Sequence, residues 1–240
     1  MIILACETST LLGSVAVLKD QAVLAYKDSF RQGSHSDVLN VFIEAALTEA
    51  KLNLSDVDLF ATGIGPGSFT GIRISLNTIK TFSFCYNKPC IGIDSLINMA
   101  YRLDSQYSLK PLKNIPIVTM INAYKNMVYV ATYSKQGNAL LTIKEPSVVR
   151  VQNLTDYIDT ESYVIGDGYL AYQAYLDQHL RERIVRPEIP ADEPHARFLG
   201  ELALKKASQN TSQWNELLPL YLRESEAEEN VKGIKYQPLF

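Results

Sequence analysis

The stretch whose reading decides the fold is residues 63–75, GIGPGSFTGIRIS. Gly63, Gly65, Gly67 and Gly71 crowd it, Pro66 sits among them, and a helical run follows. Such a loop either cradles phosphate or turns the chain sharply into a packed helix. A dinucleotide fingerprint needs G-x-G-x-x-G, but Ser68 and Thr70 stand where its third glycine would be. A phosphate-binding P-loop ends in Gly-Lys-Ser/Thr, and no lysine lies in the stretch. Pro66 also lacks the N–H that a phosphate nest would use. The glycines therefore point to a tight strand-to-helix turn, with Gly71 letting the helix backbone approach a neighbour closely.

The helix expected after it spans residues 68–86. Phe69, Ile72, Leu76 and Ile79 recur in steps of three and four, a narrow apolar seam. Gly71, Ser75 and Thr78 form a stripe of small residues beside the seam. A second helix is expected over residues 36–51, opened by a capping box from Ser34 to Asp37 with His35 beside it. Leu39, Phe42, Ile43, Ala46, Leu47 and Ala50 give one apolar face, and Val38, Val41 and Ala45 a second. A helix apolar on two sides must bury both. The reading is that one seam serves the core and another face meets a partner helix.

Strands are expected around these helices at 2–5, 14–18, 22–26, 59–63 and 90–93, with Lys19, Asp20 and Gln21 as a hairpin turn. The first hundred residues thus read β-β-β-α-β-α-β. Residues 104–114 turn polar around Pro111 and mark a domain boundary, dividing the chain into lobes at 1–104 and 105–240. The second lobe reads as strands at 115–121, 127–134, 140–144 and 163–165, then helices at 169–180 and 196–207. The helix near 192–209 is expected to pack back on the first lobe. Residues 224–229 are acidic and read as solvated. Two halves that each open with antiparallel strands suggest a duplicated α/β architecture.

The chain has 240 residues, room for one large domain or two small ones. A net charge of −3 provides no basic field for gripping nucleic acid independently. The start carries no basic segment before Lys19, and its apolar run stops at Glu7. No stretch approaches the roughly 20 apolar residues of a membrane span. Cys6, Cys85 and Cys90 form no metal or redox spacing and read as buried thiols of a cytoplasmic protein. His35, His179 and His195 give no zinc-binding pair, and no G-x-S-x-G elbow is present. Asp167, between two glycines, reads as holding a turn. The stretch CETST, residues 6–10, closes the first strand and places Glu7 and hydroxyls where actin-like ATPases carry their first phosphate loop. Hydroxyls satisfying a turn are the simpler reading.

Taken in order, ILACETST, HSDVLNVF, GIGPGSFTGIRISLNTIK, IGIDSL, INAYKNMVYVATY, GDG, ADEPHARFLGELA and PLYLR resemble the TsaB family, also called YeaZ. The resemblance spans most of the chain. It implies the two-lobed α/β fold of actin-like and sugar-kinase-like (ribonuclease H-like) ATPases. It implies a cytoplasmic, non-catalytic dimerisation subunit in tRNA modification, specifically in making threonylcarbamoyladenosine beside the anticodon. The implied partners are a TsaD-type catalytic paralogue, a TsaE-type ATPase, a second copy of the chain, and tRNA only through the complex. No cofactor or metal is implied. The implied pairing surface lies on the first-lobe helices, giving the candidates Leu39, Phe42, Ile43, Ala46, Phe69, Gly71, Ile72, Ser75, Leu76, Thr78 and Ile79. Where the catalytic paralogue carries His-x-x-x-His after a strand, Ser95 and Met99 stand here. Glu7 replaces the family's usual Asp, and Asn122 replaces the Asp that opens the second lobe's hairpin. Each departure points away from ATP hydrolysis. A weak ATPase or small-molecule kinase is the alternative, and a glycoprotease-like peptidase a more distant one.

Overall fold

The computed structural model describes residues 1–30, 36–107, 114–137, 139–208, 211–224 and 226–232. The expected capping box at Ser34, His35 beside it and the polar stretch around Pro111 lie outside these residues. The first sheet holds β1 (Ile2–Glu7), β2 (Leu12–Lys19), β3 (Ala22–Phe30), β4 (Leu59–Gly63) and β5 (Cys90–Ile93). Its order is β3-β2-β1-β4-β5. The first three strands form an antiparallel meander, and β4 and β5 run parallel to β1. Parallel neighbours need crossovers, supplied by α1 (Ser36–Ala50) before β4 and α2 (Phe69–Tyr86) before β5.

Helix α3 (Ser95–Gln106) follows β5. A second sheet then repeats the pattern with β6 (Ile117–Asn122), β7 (Met127–Gln136), β8 (Ala139–Arg150), β9 (Ser162–Ile165) and β10 (Ile184–Val185). Its order, β10-β9-β6-β7-β8, is the first sheet's order read from the other edge. Again three antiparallel strands precede two parallel ones. A meander followed by parallel strands, made twice, is the duplicated architecture of the actin-like, ribonuclease H-like class. Between β9 and β10 the expected single helix over 169–180 is broken. Helix α4 (Asp167–Tyr172) and α5 (Gln178–Glu182) are separate, because Asp177 caps α5 by accepting from the Leu180 amide at 2.8 Å.

Two compact units result. The first is Met1–Asn98 with Pro194–Leu220, and the second is Met99–Glu193 with the chain from Tyr221. Helix α6 (Ala196–Lys206) belongs to the first unit and packs on β1, β2, β4 and β5. Leu39, Ile43, Ala46 and Leu47 of α1 and Leu76 and Ile79 of α2 share a core with Leu4, Cys6, Val15, Val17 and Phe60. Side chains alternate across a strand, so Leu18 points to the opposite face, where α6 brings Gly200 against it. The first sheet is therefore covered on both faces. Each fully buried aliphatic side chain in such a core contributes about 1.5–3 kcal/mol. The last described helix is α7 (Glu226–Val231), and Glu229 on it is 1% exposed, so the acidic stretch is not wholly solvated.

Candidate functional site

The glycine loop leaves the end of β4 and lies over the turn that follows β1. The Ser68 amide donates to the Ser9 carbonyl at 2.7 Å. Ser68 then caps α2, its hydroxyl accepting from the Gly71 amide at 3.2 Å. Gly67 has φ +153, and a Cβ on it would overlap the Ser9 carbonyl. A Cβ on Gly71 would overlap the Thr8 carbonyl oxygen. Thr8 in turn donates its hydroxyl to the Gly71 carbonyl at 2.7 Å. The Thr8 and Ser9 carbonyls are thus packed against the chain's own backbone at Gly67 and Gly71.

Beneath this turn lies Glu7, fully buried. Its carboxylate accepts from the Ser9 amide at 2.9 Å, the Ser95 hydroxyl at 3.2 Å and the Asn98 side-chain amide at 3.4 Å. The same Asn98 nitrogen donates to the His195 carbonyl at 3.2 Å. All these donors are neutral, and burial pushes the Glu7 pKa up. Asp94 accepts from the Leu96 amide at 2.6 Å, and burial pushes it up to about 7. Glu7 is held beneath the turn by neutral donors from Ser9, Ser95 and Asn98. Ser95 and Met99, at the paralogue's histidine spacing, are both buried. Neither supplies an imidazole.

In the second unit β6 ends at Asn122, where β1 ends at Glu7. The Asn122 amide donates to Asp167 at 2.9 Å, and the Asn122 side-chain oxygen accepts from the Tyr124 amide at 2.8 Å. Asp167 therefore ties the start of α4 to the end of β6, and burial raises it to about 6. Asp192 accepts from the Gly166 amide at 2.7 Å and forms a two-pronged pair with Arg186 at 2.7 and 2.9 Å. These carboxylates close turns. Among the described residues no three His, Cys, Asp or Glu side chains group as metal ligands.

The expected pairing residues divide into two sets. Leu39, Ile43, Ala46, Gly71, Ile72, Ser75, Leu76 and Ile79 are buried within the first unit. Two residues of the small-residue stripe face inward: Gly71 meets Thr8, and Ser75 accepts the Thr62 hydroxyl at 3.0 Å. This corrects the expectation that Gly71 brings α2 close to a partner helix; its approach is to its own turn. Phe42, Phe69 and Thr78 are half-buried. Beyond them, Val41 of α1 is 58% exposed and Phe84 of α2 is 64% exposed. A groove of about 610 Å³ runs between the helices, lined by Asn40, Ile43, Glu44, Leu47, Phe82 and Tyr86 among others. The two apolar faces of α1 do not say by themselves which meets the core; the structure puts Leu39, Ile43, Ala46 and Leu47 there. A second correction concerns Cys85, which is exposed on α2, whereas Cys6 and Cys90 are buried.

Two lobes of one repeated strand order place the chain in the actin-like class. Comparison with known proteins narrows this further. The sequence profile described as TsaD, tRNA N6-adenosine threonylcarbamoyltransferase, matches residues 30–231. A Buchnera aphidicola tRNA threonylcarbamoyladenosine biosynthesis protein TsaB is 30% identical over 172 residues, 70% of this chain and 79% of its own length. The Haemophilus influenzae protein of the same name is 27% identical, covering 92% of this chain and 93% of that one. A solved Pseudomonas aeruginosa protein, described as similar to the peptidase YeaZ, superposes with a TM-score of 0.78 at 26% identity, covering 92% and 99% of the two chains. The chain belongs to the TsaB (YeaZ) family, within the wider TsaD family.

Proposed function

We propose that the chain is the non-catalytic partner of a TsaD-type threonylcarbamoyltransferase, acting in tRNA threonylcarbamoyladenosine biosynthesis. The observation that carries the non-catalytic reading is the turn after β1, packed against Gly67 and Gly71. Phosphoryl chemistry needs donors aimed at phosphate oxygens and a positioned carboxylate. Here the Ser68 amide is spent on the Ser9 carbonyl, and Glu7 is buried among neutral donors. The residues do not fit the phosphates of the nucleotide that the fold class implies, nor do Ser95 and Met99 offer ligands for the catalytic paralogue's metal. The pairing surface proposed is the outward face of α1 and α2, around Val41, Phe42, Phe69, Thr78 and Phe84. Exposed apolar side chains beside a groove are the usual mark of an interface. The same face serves a homodimer, and a TsaE-type ATPase joins the assembled pair in the cytoplasm.

The test is co-purification with the TsaD-type paralogue of the same organism, combined with nucleotide titration of the isolated chain. A stable pair whose transferase activity needs this chain, together with no ATP turnover by the chain alone, is the expected result. Steady ATP hydrolysis that disappears in Glu7→Ala would overturn the reading.

A further inference from the structure

Beyond α6 the chain lies along the edge of the first sheet. The Ser212 amide donates to the Cys90 carbonyl at 2.8 Å, and the Cys90 amide donates to the Ser212 carbonyl at 3.0 Å. The segment thus pairs with the start of β5, the edge strand. A closed turn follows. The Glu216 amide donates to the Gln213 carbonyl at 3.0 Å, and the Glu216 carboxylate accepts from the Gln213 amide at 3.0 Å. After the turn, Leu217 is buried in the first unit's core and packs over Gly92. Its carbonyl accepts from the Lys80 ammonium at 3.1 Å, and the Leu220 amide donates to the Ile64 carbonyl at 2.8 Å. The turn is therefore anchored at both ends.

The turn carries Trp214, the chain's single tryptophan. Its ring stands edge-on to Phe84 of α2, with centroids 5.3 Å apart and an interplanar angle of 73°. The contact hides neither ring: Trp214 is 40% exposed and Phe84 is 64% exposed. Tryptophan is on average a highly buried residue. Covering the edge of the sheet does not account for this one, because Leu217 fills the core there. A large ring kept partly in water on an anchored turn is ready to bury area against another surface, with little ordering left to be lost on binding.

We propose that the turn from Gln213 to Glu216 belongs to the pairing face, and that Trp214 and Phe84 form one aromatic ridge that the TsaD-type partner covers with apolar side chains. The inference rests on the pairing face proposed above and extends it to a segment far from α1 and α2 in sequence. Continuity carries the assignment. Phe84 already belongs to that face, and a body that covers Phe84 reaches the ring 5.3 Å away. Tryptophan is also the residue type most enriched among the anchors of protein interfaces.

The experiment uses the full chain grown with 5-fluorotryptophan, which carries one fluorine resonance, titrated with the unlabelled TsaD-type paralogue of the same organism. The resonance is expected to shift, and its sensitivity to exchange of water for heavy water to fall, as the pair forms. Trp214→Ala is expected to weaken pairing about tenfold or more in sedimentation at nearly unchanged Tm, and Trp214→Phe to recover most of that loss. A resonance that stays put at saturating partner, while Phe84→Asp weakens pairing, keeps the face and overturns this inference. Where Phe84→Asp also pairs as wild type, the face itself is wrong and the inference falls with it. A resonance that moves on self-association of the chain but not with the paralogue assigns the turn to a second copy and likewise overturns the proposal. Should Trp214→Ala not fold, the fluorine signal of the unsubstituted chain decides alone.

Discussion

The two sheets share a strand order but are covered differently. In the first unit the crossovers carry the 15-residue α1 and the 18-residue α2. At the corresponding places the second unit has a six-residue 3-10 turn (Val151–Asp156) and the short α4 and α5. Its sheet is nevertheless closed, because Val151, Leu154, Ile158, Leu176 and Leu180 pack on Val118, Met120, Val128 and Val130. Covering this kind of sheet does not require long helices. The extra turns of α1 and α2 carry an outward apolar surface, with Val41 58% and Phe84 64% exposed and Phe84 edge-on to Trp214, and that surface is the one proposed for a partner.

The largest effect is expected inside α2. Gly71→Ala drives a Cβ into the Thr8 carbonyl, and backbone on both sides cannot yield cheaply. A loss of stability of roughly 4 kcal/mol or more is expected by urea unfolding, the scale of a severe core defect. An unchanged unfolding midpoint would show that α2 does not rest on the β1–β2 turn.

Outward positions should separate pairing from folding. Phe84→Asp and Val41→Asp are expected to weaken binding to the TsaD-type partner about tenfold or more in sedimentation, at nearly unchanged Tm. Leu170→Asp, on the short α4 and 47% exposed, should leave pairing untouched. If all three variants weaken pairing equally, the outward surface of the first unit is not the interface.

A smaller effect is set by pH. Asp94 in the first unit is raised to about 7 and Asp167 in the second to about 6, both mainly by burial. A raised carboxyl pKa means that the folded state keeps a proton the unfolded state has already released. Stability therefore falls as pH rises from the ordinary carboxylate range near 4 up to the folded value. Asp94→Asn should raise Tm at pH 7.5 by several degrees, roughly 3 °C per kcal/mol recovered, with no gain at pH 4. The Asp167→Asn gain should be complete by about pH 6. Thermal melts across this range check both, and a gain for either variant that persists at pH 4 would point to a cause other than ionisation.

The smallest effect is expected at Gly137, in the turn after β7. It is left-handed at φ 59, and a Cβ there would meet nothing within 4 Å. Gly137→Ala should cost about 1 kcal/mol from backbone conformation alone. A loss as large as that of Gly71→Ala would mean that Gly137 is held by something besides its backbone conformation.

Much of the first unit was legible because its signals are local. Apolar runs end at polar turns, Ser68 caps α2, and Pro89 stops the chain before β5. What sequence could not supply was direction across distance. A small-residue stripe looks the same whether it meets a partner helix or its own sheet. The groups that decide the matter, Thr8 against Gly71 and Ser95 and Asn98 against Glu7, lie 63, 88 and 91 residues apart. Helix α3 carries a local signal as well, Asp94 capping at Leu96. The break at Asp177 is a capping signal too. Arg223, six residues before Glu229, was the one hint that the acidic stretch is not all solvent-facing.

The distribution of thiols gives the molecule a built-in reporter. Cys85 stands exposed on α2 beside Phe84, while Cys6 and Cys90 are buried and their thiols pushed up by burial, away from the reactive thiolate. A maleimide dye offered to the native chain should therefore attach at one place, on the helix proposed for pairing. No residue has to be introduced and none removed. The rate of that labelling, followed as a partner is titrated in, reads the occupancy of this face directly from unmodified protein.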